Sequence, residues 1–355
     1  MPVKEKPRAP SSVGFDERHL RALTDAYGLR GVDAFLPVIL DGTHASLLDV
    51  RSETSRKALL EDDRGLWFVK QVPWYADQDE HLARRHAAMA ELARHTGLVP
   101  PFLTSQDGRP WVRVDGAAFE ISEYRGGSRF TGSPAQIRSA GSALAAVHDG
   151  AVDAAARPPA EDYRDLVADH VRLAREVAAD RAGTPHRLLD VLDEVTAALP
   201  GLLPDRVWER LPRTFVHGDY NPWNLVFGAD GVIAVVDFDN CDTGTRLRDV
   251  VEGVLTHAAV AYLGDSTSFA VPFRCDLDER RAGAFLSGYA GAARRPPTED
   301  ETAALPFLVR AVHVELVALA VLRGEIGDES AALVAAWHRD PPDLRPFLAR
   351  EGGLS

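Results

Sequence analysis

The chain has 355 residues, 45% of them hydrophobic, which is long enough for two domains with sizeable cores. Its formal net charge of −13 argues against a nucleic-acid-binding protein, because such proteins usually show a basic surface. No uninterrupted apolar run is long enough to cross a bilayer, and the polar segment Met1–Ser12 is unlike a signal peptide, so we expect a cytoplasmic protein without a membrane partner.

The first 126 residues are predicted to form a small, mainly antiparallel β domain. Strand-like runs alternate with turn residues, and one segment has apolar residues at helical spacing. In chain order the predicted elements are a strand–turn–strand over residues 38–50, a strand over 65–72, a helix over 79–92 and a hairpin over 111–124. Gly126 and Gly127 then give the backbone the freedom that a connection between two domains needs.

The rest of the chain, residues 127–355, is predicted to be mostly helical. Ser133 and Gln136 form a capping signal around Pro134, which predicts a helix that continues to His148. Further helical patterns cover residues 163–180, 186–199 and 298–322.

One segment of this second domain points to a specific chemistry. His217-Gly218-Asp219 is followed by Asn224, five residues after the aspartate, and then by Asp237 at the end of a β-branched run. The residues between Asn224 and Asp237 predict a β-hairpin, so these two side chains lie at its two ends. An ordinary hairpin with polar ends is the alternative, but the order and spacing are typical of kinase-like enzymes.

Phosphoryl transfer explains why these residue types occur together. Asp219 would accept the proton of the attacking hydroxyl, and catalysis otherwise consists of alignment and charge neutralisation. Mg²⁺ prefers oxygen ligands, which the amide of Asn224 and the carboxylate of Asp237 supply. No glycine precedes any of the four lysines, so a P-loop is excluded, and the Gly-x-Gly-x-x-Gly, Gly-x-Ser-x-Gly and His-Glu-x-x-His motifs are missing as well.

On these residues the chain resembles the superfamily of aminoglycoside phosphotransferases, choline kinases and homoserine kinases. Members have His-Gly-Asp, an asparagine five residues after that aspartate, and a later Asp-Phe; residues 136–148 and 246–250 add weaker support, with Asp249 as a structural carboxylate. The resemblance implies an α+β, two-lobed protein-kinase-like fold, with a small N-terminal antiparallel β lobe over residues 1–126 and a larger, mainly helical lobe over 127–355. It also implies ATP and Mg²⁺ as cofactors.

The resemblance assigns the nucleotide contacts of the first lobe. The loop within residues 38–50 would close over the triphosphate, which makes Gly42, Thr43 and Ser46 candidate phosphate contacts. The end of the hairpin over residues 111–124 would meet the adenine through backbone groups of Glu123 and Tyr124.

Lys70 is the candidate ligand of the α- and β-phosphates. Only four of the 40 basic residues are lysines, and alternation places Lys70 on an apolar face of its strand, where it needs an anionic partner. The alternative is a lysine on an edge strand that extends into water.

The helix after Lys70 departs from the family pattern. Related kinases pair the strand lysine with a glutamate from the middle of this helix, where this chain has Arg84, Arg85 and His86. Glu80 or Glu91 would have to replace that glutamate.

Three functions follow. The favoured one is an ATP- and Mg²⁺-dependent kinase for a hydroxyl of a small, amine-bearing molecule, such as an aminoglycoside-like antibiotic, an amino alcohol or a hydroxy amino acid. The second is a kinase of Ser or Thr in a precursor peptide, as in lanthipeptide-type pathways. The third is a weakly active nucleotide-binding regulatory module, suggested by the missing helix glutamate.

Overall fold

The computed structural model describes residues 15–32, 56–73, 75–151, 159, 161–179, 183–259 and 277–346. These residues form two compact units. The first contains the described residues up to Arg129 together with Ile233–Asp239, and the second contains those from Phe130 to Val232 and from Asn240 onward. Gly42, Thr43 and Ser46, the predicted phosphate contacts, lie outside the described residues.

The first unit is built on a four-stranded antiparallel sheet with the strand order β1-β2-β4-β3. Its elements are α1 (Glu17–Tyr27), β1 (Lys57–Asp62), β2 (Gly65–Gln71), α2 (Asp79–Thr96), β3 (Trp111–Val114) and β4 (Ala117–Glu123). The predicted strand over 65–72, the helix over 79–92 and the hairpin over 111–124 are confirmed. α1 adds a layer that the sequence analysis did not predict; it begins at the capping box of Asp16 and His19 and ends at Gly28.

The larger hydrophobic cluster of this unit lies between α1 and the sheet. Alternate residues of the strands point into it, because successive side chains of a strand face opposite sides. The buried residues of this cluster are Leu23 and Tyr27 of α1, Leu29, and Leu60, Val69, Phe119 and Ile121 of the sheet. A second cluster contains Leu82 of α2 together with Val72, Ala76, Trp111 and Ala118.

The second unit is mainly helical. Its helices are α3 (Pro134–Gly150), α4 (Tyr163–Ala179), α5 (His186–Ala198), α6 (Asp205–Trp208), α7 (Arg246–His257), α8 (Glu279–Ala292), α9 (Glu299–Arg323) and α10 (Ala331–Arg339). Its strands are β5 (Arg213–Val216), antiparallel to β8 (Asp242–Thr245), and β6 (Leu225–Gly228). Strand β7 (Gly231–Val235) forms a two-stranded sheet with β6; its first two residues belong to this unit, and its residues from Ile233 on belong to the first unit. The helices predicted over 134–148, 163–180, 186–199 and 298–322 and the predicted hairpin are therefore confirmed.

Helix α9 is a core helix. Thr298 and Glu301 form a capping box at its start, and Gly324 ends it in a left-handed conformation. It is the one helix among the described residues that is long and apolar enough to span a membrane. Since 72% of its most apolar window is buried inside the protein, packing in the core explains that composition.

Helices α3 and α8 approach closely because each has a glycine at the contact. A Cβ atom at Gly141 would lie 2.0 Å from the carbonyl oxygen of Phe285, and one at Gly288 would lie 2.0 Å from that of Arg138. Backbone atoms cannot move aside as a flexible side chain can. The two glycines therefore fix the distance between these helices.

We predict that Gly288→Ala lowers the free energy of unfolding by about 2 kcal/mol or more, because the added methyl group forces α3 and α8 apart. Gly291, one turn further along α8, is the matched control, since a Cβ atom there meets no atom within 4 Å. Gly291→Ala should instead stabilise the protein by about 0.5 kcal/mol through helix propensity. Equal effects of the two substitutions in denaturant unfolding would contradict the glycine contact.

Candidate active site

The loop between β5 and β6 holds Asp219 in one orientation. Its carboxylate accepts hydrogen bonds from two side-chain amides: Asn221 Nδ2 donates to Oδ1 at 2.7 Å, and Asn224 Nδ2 donates to Oδ2 at 2.9 Å. The Asn224 amide also donates to the Asp219 carbonyl oxygen at 2.8 Å. Asp219 is only partly buried, so a carboxylate fixed by neutral donors is still accessible to a hydroxyl group.

Asp249 at the start of α7 braces this loop from inside the second unit. Its fully buried carboxylate accepts the backbone N–H of His217 at 2.5 Å and that of Gly218 at 3.0 Å, and it lies 3.2 Å from His148 Nε2. Burial alone would raise the pKa of Asp249, but the contact with His148 lowers it below its ordinary value. The predicted structural role of Asp249 is confirmed.

Only glycine fits between His217 and Asp219. Gly218 has a φ of 78°, and a Cβ atom there would lie 2.1 Å from the carbonyl oxygen of Asn240. In the His-Gly-Asp motif, Gly218 therefore turns the chain, the backbone of His217 is anchored to Asp249, and Asp219 is partly exposed.

A second polar cluster, which the sequence patterns do not predict, contacts the loop between β5 and β6. Arg248 donates to the Gly218 carbonyl oxygen at 3.3 Å and pairs with Glu315 of α9 at 3.1 Å. Glu315 also accepts from the Tyr163 hydroxyl at 2.8 Å and lies 3.3 Å from His170 Nδ1. The cluster joins α4, α7 and α9 to the loop, and its only sequence signal is that Arg248 precedes Asp249.

Glu252, one turn after Arg248 on α7, brings another buried carboxyl group near Asp219. Burial raises its pKa well above the ordinary value, and the charges of Asp219 and Asp249 raise it further. A carboxyl group with such a raised pKa is protonated near neutral pH, so Glu252 is an uncharged neighbour of Asp219.

Asp237 follows β7 and belongs to the first unit. It has a left-handed backbone, with a φ of 67°, a conformation that is uncommon outside glycine and often marks functional sites. Two ammonium groups face its carboxylate: Lys70 Nζ lies 2.6 Å from Oδ1 and Lys57 Nζ lies 3.5 Å from Oδ2. Burial would raise the pKa of Asp237, but these two lysines hold it well below its usual range.

Lys70 lies in β2, between β1 and β4, and its side chain is buried. The alternative of an edge-strand lysine in water is therefore wrong. Besides Asp237, its Nζ contacts Asp239 Oδ2 at 2.6 Å. Burial by itself would lower the pKa of Lys70, but Asp237 and Asp239 raise it above the ordinary lysine value, so the ammonium is charged.

The carboxylate partner of Lys70 does not come from α2, contrary to the expectation for Glu80 or Glu91. Glu80 is exposed and pairs with Arg84, and Glu91 is buried elsewhere on the helix. Among the described residues, the carboxylates within ion-pair distance of Lys70 are Asp237 and Asp239, which follow β7. Local helix spacing could not reveal a partner that lies more than 160 residues away in sequence.

The hinge candidates lie at the end of β4. The N–H of Glu123 donates to the carbonyl oxygen of Pro101 at 3.0 Å, and the N–H of Tyr124 donates to that of Leu66 at 3.0 Å. These N–H groups thus have partners within the first unit. An adenine contact at these two residues stays a prediction.

Asn224 and Asp237 each present an oxygen atom of the kind that Mg²⁺ prefers. Because Asn224 directs its amide N–H₂ toward Asp219, its Oδ1 atom is left as an oxygen ligand, and Asp237 offers a carboxylate. Within the described ranges, no three or more His, Cys, Asp or Glu side chains form a metal site by themselves. Mg²⁺ commonly takes only one or two protein oxygens and completes its shell with phosphates and water.

Comparison with known proteins identifies the family. The sequence matches the phosphotransferase enzyme family over residues 48–296, well over half of the chain. The chain belongs to this family. The predicted superfamily is therefore confirmed, and the protein is a phosphotransferase. Among curated proteins, no match is found.

Solved structures share the fold of this phosphotransferase. An aminoglycoside phosphotransferase from Alicyclobacillus acidocaldarius aligns with 15% identity and a TM-score of 0.55 over 98% of this chain and 97% of that chain. An amicoumacin kinase, solved with AMP-PNP, Ca²⁺ and Ami, aligns with 14% identity and a TM-score of 0.63 over 95% and 97%. A microcompartment-associated aminopropanol kinase aligns with 19% identity and a TM-score of 0.62 over 94% and 97%. The predicted α+β, protein-kinase-like fold is confirmed.

Proposed function

We propose that this phosphotransferase moves the γ-phosphate of ATP to a hydroxyl of a small, amine-bearing molecule. The observation that supports this most directly is the partly accessible carboxylate of Asp219, held by the amides of Asn221 and Asn224. Its position in the His-Gly-Asp motif is that of the catalytic aspartate in kinases. A cytoplasmic location, where ATP is available, is part of this proposal.

In the proposed reaction Asp219 binds the acceptor hydroxyl and takes its proton as the oxygen attacks the γ-phosphate. The two amides fix both carboxylate oxygens, so the acceptor is aligned before the reaction begins. Asp249 keeps the loop in place through the backbone of His217 and Gly218.

Lys70 binds the α- and β-phosphates through its buried, charged ammonium group. Asn224 and Asp237 are the proposed ligands of Mg²⁺, an assignment supported by the motif and by the oxygen that each residue presents. Bound Mg²⁺ would neutralise charge on the phosphate oxygens. The use of a nucleotide with a divalent cation agrees with the AMP-PNP and Ca²⁺ bound to the amicoumacin kinase of the same fold.

The class of acceptor is proposed from charge and from the structural relatives. The chain has a formal net charge of −13, which attracts a protonated amine. The structural relatives include kinases named for an aminoglycoside and for aminopropanol, both of which carry amines. We therefore propose an aminoglycoside-like antibiotic, an amino alcohol or a hydroxy amino acid.

The test is ADP release with Mg-ATP across these acceptors, with Ser- and Thr-containing peptides in the same panel. We expect release that depends on one class of amine-bearing acceptor and that is lost with matched molecules in which the amine is replaced by hydrogen. Release only with peptides would favour the precursor-peptide kinase. Nucleotide binding without release for any acceptor would favour a regulatory module and contradict the proposal.

A further inference from the structure

We propose that Asp239 positions Lys70 for nucleotide binding, in place of the helix glutamate that related kinases use. Asp239 is thus a positioning residue that acts through Lys70. This inference rests on the proposed function, because it assumes that Lys70 binds the nucleotide phosphates. All of the residues involved belong to the first compact unit.

The carboxylate of Asp239 bridges two cations. Its Oδ2 atom lies 2.6 Å from Lys70 Nζ, and its Oδ1 atom accepts a hydrogen bond from Arg85 Nη1. The Asp239 side chain is only 5% exposed. Both of its oxygens therefore have a protein partner. Asp237 also has a lysine partner at each oxygen, but its side chain is 23% exposed, so Asp237 is the more accessible of the two carboxylates.

Arg85 occupies the part of α2 where the glutamate was expected, and it reverses the charge of that position. Its guanidinium group does not replace the glutamate as a partner of Lys70 but holds Asp239 on one side and Glu120 of β4 on the other. Glu120 is the cross-strand partner of Lys70 in the pairing of β2 with β4, so both side chains lie on the same face of the sheet. His86 lies 3.1 Å from Glu120 and is stacked with Trp111.

The charges of this cluster balance. Lys70 and Arg85 face Asp239 and Glu120, and all four side chains are at least nine-tenths buried. An arginine in this buried place would be unfavourable without carboxylates on both sides. Asp239 therefore compensates for two features of this chain. It neutralises Arg85, and it supplies Lys70 with the carboxylate that the helix glutamate provides in related kinases.

Because Lys70 has two carboxylate partners, one of them can orient the lysine while the other binds the metal. Asp237 is the proposed magnesium ligand, and if it were the only partner of Lys70, the same carboxylate would have to orient the lysine and bind the metal. Asp239 holds Lys70 through a different contact. Lys70 can then keep its position while Asp237 acts as a ligand.

A double-mutant cycle on nucleotide affinity tests this inference. The dissociation constant for Mg-ATP is measured by calorimetry for the unmodified protein, Asp239→Asn, Lys70→Met and the double variant. We expect each single substitution to raise this constant about ten-fold, and the double variant to equal Lys70→Met alone, because Asp239 acts only through the lysine. An unchanged constant in Asp239→Asn, or effects that multiply in the double variant, would overturn the inference.

Two further variants keep the test decisive. Asp62→Asn is the matched control, since Asp62 is a buried carboxylate of the same unit that pairs with Arg64 and Trp67 instead, and it should leave nucleotide affinity unchanged. If Asp239→Asn does not fold, Arg85→Lys replaces it in the cycle, because lysine lacks the two separate nitrogens, Nη1 and Nη2, with which Arg85 reaches Asp239 and Glu120. Arg85→Lys should raise the dissociation constant for Mg-ATP by a smaller factor than Asp239→Asn, and it should have no effect in the Lys70→Met background. An equal rise of this constant in the Lys70→Met background would overturn the inference.

The same titrations separate this inference from the proposed function. If the unmodified protein does not bind Mg-ATP, or if Lys70→Met binds it equally well, the nucleotide site itself is wrong. If Lys70→Met weakens binding and Asp239→Asn does not, the proposed function stands and only the role of Asp239 is wrong.

Discussion

Asp219→Asn is expected to lower kcat by about 10² to 10⁴-fold while the protein still binds Mg-ATP. The substitution keeps the size of the side chain but removes the base that takes the proton of the acceptor. The new amide keeps one oxygen as an acceptor, but its N–H₂ group faces the N–H₂ group of either Asn221 or Asn224, so one hydrogen bond is lost. A small loss of stability should therefore accompany the loss of turnover. ADP release at saturating ATP and calorimetric nucleotide binding measure the two effects separately.

The control for this substitution is Asp230→Asn. Asp230 is an exposed aspartate between β6 and β7, and its replacement should leave kcat unchanged. Equal turnover in Asp219→Asn and the unmodified protein would remove Asp219 from the role of base.

Asp237→Ala should abolish the magnesium-dependent part of nucleotide binding. We expect the dissociation constant for Mg-ATP to rise by about 100-fold or more, because a proposed metal ligand is lost. ATP without magnesium should bind at least as tightly as before, since a carboxylate that would repel the phosphates is gone while Lys70 and Lys57 keep their charges. Lys70 retains Asp239, so the variant should fold.

Titrations with ATP in magnesium and in EDTA measure this difference for both proteins. An Asp237→Ala variant whose nucleotide affinity still rises with magnesium as strongly as that of the unmodified protein would show that the metal is held elsewhere. This test concerns the metal ligand and leaves the role of Asp219 open.

Much of the fold follows from local patterns in the sequence. The capping residues Ser133 and Thr298 mark helices that begin where the structure begins them. The turn between β6 and β7 is visible in residues 228–231, and the left-handed backbone at Gly218, with a φ of 78°, favours glycine at that position of the motif. These signals depend on neighbours within a few residues, which a single sequence shows directly.

The partners of Lys70 and Arg85 could not be predicted in this way. Their carboxylates come from β4 and from the segment after β7, and the pairing of β2 with β4 decides which of them share a face of the sheet. Residues 233–239 belong to the first compact unit although the helical part of the chain surrounds them in sequence. The backbone hydrogen bond from Val235 to the carbonyl oxygen of Leu98, at 2.8 Å, is one contact that places them there. Such long-range contacts leave no periodic pattern.

The most direct measurement of the central claim is phosphorus NMR of a reaction that contains ATP, Mg²⁺ and the acceptor that gives the fastest ADP release. The proposed function predicts a new phosphomonoester signal that grows in step with ADP, and no such signal with Asp219→Asn. Inorganic phosphate as the only new product, or the same phosphomonoester formed at an equal rate by Asp219→Asn, would contradict phosphoryl transfer to a hydroxyl with Asp219 as its base.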